Sequence, residues 1–286
     1  MEHYPVMKEK VLEFLKIKEG GIYIDATAGY GGHTRFILEN SKNIFVYCID
    51  KDENAIENLK ENLADFSNFK AIKSGFENLK EVMEKEKIKE VDGILFDLGF
   101  SIHQVKNAER GFSFSMDGPI DMRYDRSQRL TASEILNKWS GRNLVFIFRE
   151  YGEIKSPEKI VRKIIERRKR KRFESTKDFA DFISSIYREK RGIHPATKFF
   201  MALRIATNNE LLNLKEGLEQ ASELVKNGGR IVVITFHSLE DRLVKRFFKN
   251  RDDFEIITKK VIKPDYEEVR INPESRSAKL RAVEKR

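Results

Sequence analysis

The sequence predicts an α/β fold: a doubly wound, mostly parallel sheet with an inserted helical domain. Across residues 22–97, short apolar runs alternate with segments of helical periodicity, the pattern of parallel strands joined by helices. About 130 residues then pass before the next apolar run, at 228–236, which is far more than a crossover needs. Helix-start signals inside that interval indicate that the inserted part is helical.

The predicted strands end at residues that can serve a ligand. We expect strands at 22–24, 44–49, 69–72, 91–96 and 228–236, with another near 254–257. The first four are followed by Asp25, Asp50, Gly75 and Asp97. Because the carboxyl ends of parallel strands meet at one edge of the sheet, a binding site is expected there.

The stretch from Asp25 to His33 is a candidate ligand loop. Gly29, Gly31 and Gly32 permit a tight turn, and the following helix would aim free backbone N–H groups at a ligand. The third small residue of the dinucleotide fingerprint is missing. The preceding acid suits a ligand with a cationic amino-acid moiety, such as S-adenosylmethionine. A purely structural glycine turn is the alternative.

Two residues after the next strands suggest a nucleoside. Asp50 can accept hydrogen bonds from both ribose hydroxyls, or it can be an acid favoured by the dipole at a helix N-terminus. Phe76 can flank an adenine ring or belong to the core.

Composition indicates a globular protein with a polyanionic partner. The 286-residue chain is 35% charged and carries a net charge of +9, which favours RNA, DNA or anionic lipid. Its single cysteine, Cys48, excludes an intramolecular disulfide, and the scattered histidines argue against a metal site. Without a signal-peptide pattern or a long apolar segment, a soluble, cytoplasmic protein is expected.

The inserted segment carries three helix-start signals, at Thr131, at Ser156 before Pro157, and at Ser175. One long helical stretch is expected from Pro195 to Leu224. We assign the helical domain to 106–199, between two parts of the core at 1–105 and 200–286.

Basic residues are concentrated in a few places. Six adjacent cations at 167–172 repel one another, which favours an anionic partner over a solvated helix end. Arg110 and Phe112 stand in a turn-rich loop suited to stacking an unpaired base, although core packing of Phe112 fits equally well. Arg276 and Lys279 belong to a basic segment that can pair with phosphate.

Eight segments follow the order of one known family: His3–Met7, Asp25–His33, Asp92–Gly99, Arg110–Phe114, Asp121–Arg123, Ala202–Ile205, Phe236–Arg242 and Ser275–Arg281. Together they resemble the RsmH (MraW) family of ribosomal RNA small subunit methyltransferases. The resemblance implies a Rossmann-like class I S-adenosylmethionine-dependent methyltransferase core interrupted by a helical substrate domain. It also implies methylation of the exocyclic N4 of a cytidine in the decoding region of 16S rRNA, within the small ribosomal subunit.

The resemblance assigns roles to individual residues. It implies cofactor contacts at Gly31, Gly32, His33, Asp50, Phe76, Asp97 and Gln104. Asp97 is the first candidate catalytic residue, and His237 is a second candidate as proton acceptor. RNA contacts are expected at Arg110, Phe112, Arg123, Arg167, Arg168, Lys169, Arg170, Lys171, Arg172, Arg276 and Lys279.

Some alternatives stay open. The family usually has Ser-Pro before its glutamine, where this chain has Ile102-His103, so the loop that holds Gln104 differs. A small-molecule methyltransferase and a non-catalytic RNA-binding factor are the other function classes. The sequence is also compatible with a homodimer.

Overall fold

The structure, a computed structural model, describes residues 4–99, 102–187, 192 and 194–286; for Ile102 and His103 it describes the backbone alone. His3 of the first matched segment lies outside these residues. The chain divides into two units, Met1–Gly99 with Leu211–Arg286 (unit 1) and Phe100–Glu210 (unit 2). These boundaries differ from the predicted ones, after residues 105 and 199.

Unit 1 contains a single sheet in the order β3-β2-β1-β4-β5-β7-β6. Its strands are β1 Ile22–Asp25, β2 Phe45–Asp50, β3 Phe69–Lys73, β4 Val91–Asp97, β5 Val225–Thr235, β6 Phe254–Ile256 and β7 Lys279–Lys285. The first five strands pair in parallel, whereas β7 runs antiparallel to both β5 and β6. The predicted doubly wound, mostly parallel sheet is confirmed.

Both faces of the sheet are covered. In β2, Tyr47 and Ile49 belong to one core cluster, and Val46 and Cys48 belong to another. Successive side chains of a strand point to opposite faces, so this alternation fills the core on both sides. The strands therefore consist of apolar runs rather than alternating polar and apolar residues.

The helices of the described residues are α1 Lys8–Leu15, α2 Gly32–Glu39, α3 Glu53–Asn62, α4 Leu79–Lys85, α5 Ile102–Lys106, α6 Ala132–Lys138, α7 Gly141–Glu150, α8 Glu158–Arg170, α9 Thr176–Ser184, α10 Thr197–Asn208, α11 Glu210–Leu224, α12 Ser238–Lys249 and α13 Tyr266–Ile271. Among them, none is long and apolar enough to cross a membrane.

Unit 2 is helical and has its own core, centred on Phe148, Phe179 and Phe199. As predicted, the Thr131 and Ser175 side chains cap α6 and α9, each accepting a hydrogen bond from a backbone amide in the first turn.

Three local predictions were wrong or incomplete. Pro157 is the N-cap of α8 and makes no side-chain cap, so Ser156 does not cap this helix. The expected single helix from Pro195 to Leu224 is broken at Asn209, whose φ of 51° ends α10. Strand β7 was not predicted, although Leu280 and Ala282 alternate with the polar Lys279 and Arg281, the period-2 pattern of a strand.

Candidate active site

Strand register brings three carboxylates to the same edge of the sheet. Asp25, the last residue of β1, pairs with Cys48 of β2 and with Leu95 of β4. Asp50 and Asp97 therefore each extend two residues beyond Asp25, one on either side of β1. The loop after β1 lies between two acidic strand ends, where parallel α/β sheets bind ligands.

Backbone hydrogen bonds hold the glycine loop between β1 and α2. Gly29 and Gly31 have φ angles of 51° and 83°, in the left-handed region that favours glycine. The Ala28 amide donates to the Ile49 carbonyl at 2.9 Å, and the Gly29 amide donates to Asp50 Oδ2 at 2.9 Å. The turn is thereby fixed against the end of β2.

Asp50 is oriented by backbone amides on both carboxylate oxygens. Gly29 donates to Oδ2, and the Asp52 amide donates to Oδ1 at 2.8 Å. Burial raises the pKa of Asp50 to about 6, although these two hydrogen bonds act to lower it. Each oxygen has a second lone pair for a ligand hydroxyl. Asp52 caps α3 and Asp50 accepts a hydrogen bond from the Asp52 amide, so the helix-terminus alternative stays beside the predicted ribose contact.

Asp25 lies beneath the loop and is only 1% exposed. Its Oδ2 accepts a hydrogen bond from the Thr34 hydroxyl at 2.8 Å, and its Oδ1 accepts one from the Thr27 amide at 3.4 Å. Burial raises its pKa, against the lowering effect of His33 and Thr34. Asp25 supports the loop from inside, so the direct contact with a cationic ligand suggested by the sequence is not available to it.

His33 and Asp97 form the centre of the site. His33 Nε2 lies 3.2 Å from Asp97 Oδ2, and both side chains are largely buried. Burial acts to lower the pKa of His33, but the contact with Asp97 and the charge of Asp25 raise it above its ordinary value. Thr27 fixes the backbone here, because its hydroxyl accepts a hydrogen bond from the Asp97 amide at 2.6 Å.

Three polar atoms of this pair are buried without a hydrogen bond. Among the described residues, neither ring nitrogen of His33 nor Oδ1 of Asp97 has a partner in hydrogen-bond geometry, although Nε2 keeps its 3.2 Å ion-pair contact with Asp97 Oδ2. Buried polar atoms are normally paired, so a ligand bound beside them can supply the missing partners.

Phe76 packs against the core. Its ring meets Phe96 edge-on at 5.6 Å between centroids. A Cβ on Gly217 of α11 would lie 2.7 Å from the Phe76 ring, so the absence of a side chain there permits this packing. The core alternative accounts for most of the ring, and an adenine contact stays a prediction for its exposed part.

His237 is the N-cap of α12. Its Nδ1 accepts a hydrogen bond from the Glu240 amide at 3.4 Å, and Glu240 Oε2 accepts one from the Phe236 amide at 2.9 Å. Its Nε2 lies 3.0 Å from Glu240 Oε1 and, among the described residues, is buried without a hydrogen-bond partner. The Nδ1 contact gives His237 a part in capping α12, and its role as proton acceptor stays a prediction.

Gln104 belongs to α5 in unit 2, where its side chain is buried. Its contact with the cofactor stays a prediction.

The basic run at 167–172 combines structural and exposed cations. Arg167 pairs with Asp178 at 2.7 Å. The Arg168 guanidinium donates to the carbonyls of Leu136 and Trp139 at 2.7 and 2.6 Å, which satisfies the end of α6. The side chains exposed to solvent are those of Lys169, Arg170, Lys171 and Arg172.

Three other residues that were predicted to contact RNA bond to or pack against neighbours within unit 2. Arg110 is 4% exposed and donates to the carbonyls of Arg123 and Tyr124 at 3.0 and 3.1 Å. Phe112 stacks on Tyr124 at 5.4 Å, as the core alternative predicts. Arg123 forms a two-pronged ion pair with Asp121, at 2.8 and 2.7 Å. Internal contacts account for the position of all three side chains, and their contact with RNA stays a prediction.

The two basic residues near the C-terminus also differ from each other. Arg276 is exposed, whereas Lys279 is partly buried and lies 3.4 Å from Asp241. Arg281 pairs with the same carboxylate at 2.7 Å. Arg276 is therefore the more available of the two predicted cations.

Sequence reasoning missed several supporting residues. Thr27 donates its backbone amide to Asp25 and accepts the Asp97 amide at its hydroxyl, and Thr34 donates its hydroxyl to Asp25. Their positions two and nine residues after Asp25, within or next to the glycine loop, are the signal that could have found them. Glu268 accepts a hydrogen bond from the Met7 amide at 2.5 Å, and its charge also raises the pKa of His33. Its long separation from Met7 leaves no local pattern to detect.

The chain matches known proteins over its whole length. A family model described as the MraW methylase family matches residues 1–286. A ribosomal RNA small subunit methyltransferase H from Persephonella marina is 46% identical, over 100% of this chain and 99% of that protein. A protein of the same name from a Sulfurihydrogenibium species is 46% identical, over 98% of each chain. Among solved structures, an rRNA methylase from Streptococcus thermophilus aligns over 97% of this chain and 93% of that one, with 15% identity and a TM-score of 0.46. The full-length match and the high identity of these relatives establish that the chain belongs to the MraW methylase family.

Proposed function

We propose that this chain transfers a methyl group from S-adenosylmethionine to the exocyclic N4 of a cytidine in the decoding region of 16S rRNA. S-adenosylmethionine is the cofactor of this methylase. The observation that carries the proposal is the His33–Asp97 pair, whose buried, unpaired polar atoms lie beside the glycine loop at the carboxyl edge of the sheet.

The residues at this edge fit the cofactor. Asp50 keeps acceptor capacity for two ribose hydroxyls, and Asp97 Oδ1 can accept a hydrogen bond from an ammonium group or an amine. The raised pKa of His33 favours its protonated form, which suits a ligand carboxylate. We propose Gly31, Gly32, His33, Asp50 and Asp97 as cofactor contacts, with Phe76 and Gln104 as further candidates.

The chemistry needs positioning more than covalent help. When bound, S-adenosylmethionine supplies an electrophilic methyl group on a sulfonium centre. The N4 lone pair of cytosine is delocalised into the ring, so the protein must hold the amine in line with that methyl group. Asp97 is the proposed catalytic residue, because its free Oδ1 can accept a hydrogen bond from the amine as positive charge develops on nitrogen.

Asp97 Oδ1 is also the proposed acceptor of the proton that N4 releases. His237 caps α12 through Nδ1, and among the described residues its Nε2 is buried without a hydrogen-bond partner. We propose that His237 positions the start of α12 and is the second candidate for receiving the proton.

A ribosomal RNA substrate is supported by the names of the relatives and by charge. Both relatives described above are named as methyltransferases of small-subunit ribosomal RNA. The net charge of +9 and the exposed cations at 169–172 favour binding to RNA phosphates. Since ribosomal subunits are its proposed substrate, we place its action in the cytoplasm.

One assay separates this proposal from the other function classes. Calorimetry should detect binding of S-adenosylmethionine, and label from its methyl group should then appear in 16S rRNA of small subunits that lack the modification. A non-catalytic RNA-binding factor would bind subunits and transfer no label. If the cofactor binds but no label reaches the RNA, the proposed substrate is wrong.

A further inference from the structure

Unit 2 has an open groove between α7 and α8, with a volume of about 660 Å³. Val145 and Ile165 form part of its apolar floor, and Phe146 stands at its edge with 53% of its surface exposed. Phe146 also meets Tyr151 edge-on, at 5.7 Å between ring centroids. A groove of this size suits a ligand with one or two rings.

The helices can approach closely at one end of the groove because residue 141 is glycine. A Cβ on Gly141 would lie 2.8 Å from the Ile165 side chain. The floor is therefore a well-packed part of the unit, since Ile165 contacts the buried core of unit 2. The exposure of Phe146 is a property of this ordered surface.

Two arginines beside the groove are available to a ligand. Arg142 and Arg162 line it, are exposed, and form no ion pair or side-chain hydrogen bond with the residues that the structure describes. Arg149 also lines it, but this residue is paired with Glu158. Glu150 also lines the groove as an exposed acid, so the two unpaired arginines leave a net positive charge next to the exposed aromatic ring.

Positive charge continues from the groove along α8. Lys169 stands seven residues after Arg162, two helical turns away, and therefore lies on the same face of the helix. Across the exposed side chains of α8, five are basic (Lys159, Arg162, Lys163, Lys169 and Arg170) and two are acidic (Glu158 and Glu166). This charge complements phosphate groups spaced along a nucleic-acid strand.

We propose that this groove, defined by Phe146, Arg142 and Arg162, binds an unpaired base of RNA. The base stacks on Phe146, the two arginines contact the flanking phosphates, and the strand continues along α8 toward Lys169. Aromatic stacking combined with a basic track is how single-stranded RNA is held without a fixed sequence. The proposal rests on the proposed function for the identity of the RNA, since it adds a contact to the same substrate.

A protein partner is the other class of occupant that an exposed aromatic ring can serve. The charge of the surface decides against it here, because two unpaired arginines and a helix surface with five exposed basic and two exposed acidic side chains match a polyanion better than a mixed protein surface.

The test compares variants of the full chain in binding to a short single-stranded RNA and to small ribosomal subunits. Phe146→Leu keeps an apolar side chain but removes stacking, and should weaken RNA binding about tenfold. Phe146→Trp should retain binding. In Arg142→Gln with Arg162→Gln, the slope of log affinity against log salt should become less steep by about 1.4, which corresponds to two phosphates of a single strand.

A charge-matched control and a direct contact measurement complete the test. Lys42→Gln with Lys89→Gln removes two exposed cations outside unit 2 and should leave the salt slope nearly unchanged. RNA containing 5-iodouridine should crosslink on irradiation to Phe146 or Tyr151, as mapped by mass spectrometry.

The outcomes distinguish this proposal from the proposed function. If the wild-type chain methylates 16S rRNA while the Phe146 and arginine variants bind RNA normally, the groove proposal is overturned and the function stands. That result is also expected if a protein occupies the groove. If no methyl group reaches the RNA but the crosslink maps to the groove, the groove proposal stands and the function fails.

Discussion

Asp50 is held by the backbone, and in the proposed function the same carboxylate binds the ribose of the cofactor. Its two oxygens accept hydrogen bonds from the amides of Gly29 and Asp52, which fix the orientation of the side chain before a ligand binds. Such pre-orientation lowers the cost of ordering the site when a ligand binds. The raised pKa of about 6 makes this residue sensitive to mild acid.

The pKa of Asp50 predicts a pH dependence of cofactor affinity. As pH falls through about 6, Asp50 is protonated and loses its strength as an acceptor, so the dissociation constant of S-adenosylmethionine should rise by at most about tenfold per pH unit. Asp50→Asn should bind more weakly and lack this acid step, as calorimetry from pH 5 to pH 8 can measure. An unchanged acid step in Asp50→Asn would contradict the assignment.

Stability without cofactor should follow the opposite direction. Because the folded-state pKa of Asp50 is raised, its contribution to stability is present at low pH and is lost as pH rises through about 6. Bound cofactor should offset that loss by engaging the ionised carboxylate.

At the residue scale, position along a strand made much of the site predictable. Asp50 and Asp97 follow apolar runs directly, so the rule for parallel sheets identifies them from sequence. The capping of α12 by His237 involves only Glu240, three residues further on, and this capping-box spacing is present in the sequence. The unpaired state of Asp97 Oδ1 depends on how distant segments pack, which no local pattern encodes. For the same reason, the burial of Arg110 was not foreseen.

Helix α8 shows how one element serves both the core and the surface. Its buried residues Ile160, Val161 and Ile164 lie on one face, and Arg168 reaches from α8 to the carbonyl end of α6. After Arg168, the side chains of residues 169–172 are exposed, and none of them bonds to another part of the chain that the structure describes. The six adjacent cations therefore fall into two groups: Arg167 and Arg168 make contacts within unit 2, and the four that follow are exposed to solvent.

This division predicts opposite effects for neighbouring substitutions. Arg168→Ala removes hydrogen bonds to two carbonyls and should lower the free energy of unfolding by about 1–3 kcal/mol. Replacing residues 169–172 with glutamine should change it by less than about 0.5 kcal/mol. The same replacement should weaken RNA binding and make its salt slope less steep by up to about 3.

Chemical denaturation and RNA binding at several salt concentrations measure the two effects. If the glutamine variant unfolded as easily as Arg168→Ala and bound RNA like the wild type, the assignment of these cations would be refuted.

At the element scale, the parallel strands were predictable because each is a continuous apolar run between helical segments. The break between α10 and α11 was not, because Asn209 in a left-handed conformation interrupts apolar spacing that continues on both sides. Strand β7 was not predicted because its basic residues resemble those of an exposed C-terminal segment.

At the scale of the whole molecule, the chain forms two units, and each contains a different part of the proposed function. Unit 1 supplies the sheet edge with Asp50, His33 and Asp97, and unit 2 supplies the helical surface that includes α8. In the proposed function, the first holds the methyl donor and the second binds RNA. The long insertion between β4 and β5 was visible in the sequence as an interrupted alternation.

The central claim is that the Asp97 site methylates N4 of a cytidine in 16S rRNA. Small subunits lacking the modification should be incubated with labelled S-adenosylmethionine and either the wild-type chain or Asp97→Ala, and the labelled nucleoside should be identified by mass spectrometry and located in the RNA. The account predicts N4-methylcytidine in the decoding region with the wild type, and none with a folded Asp97→Ala protein that still binds RNA. Label on another atom or base, or near-normal transfer by Asp97→Ala, would contradict it.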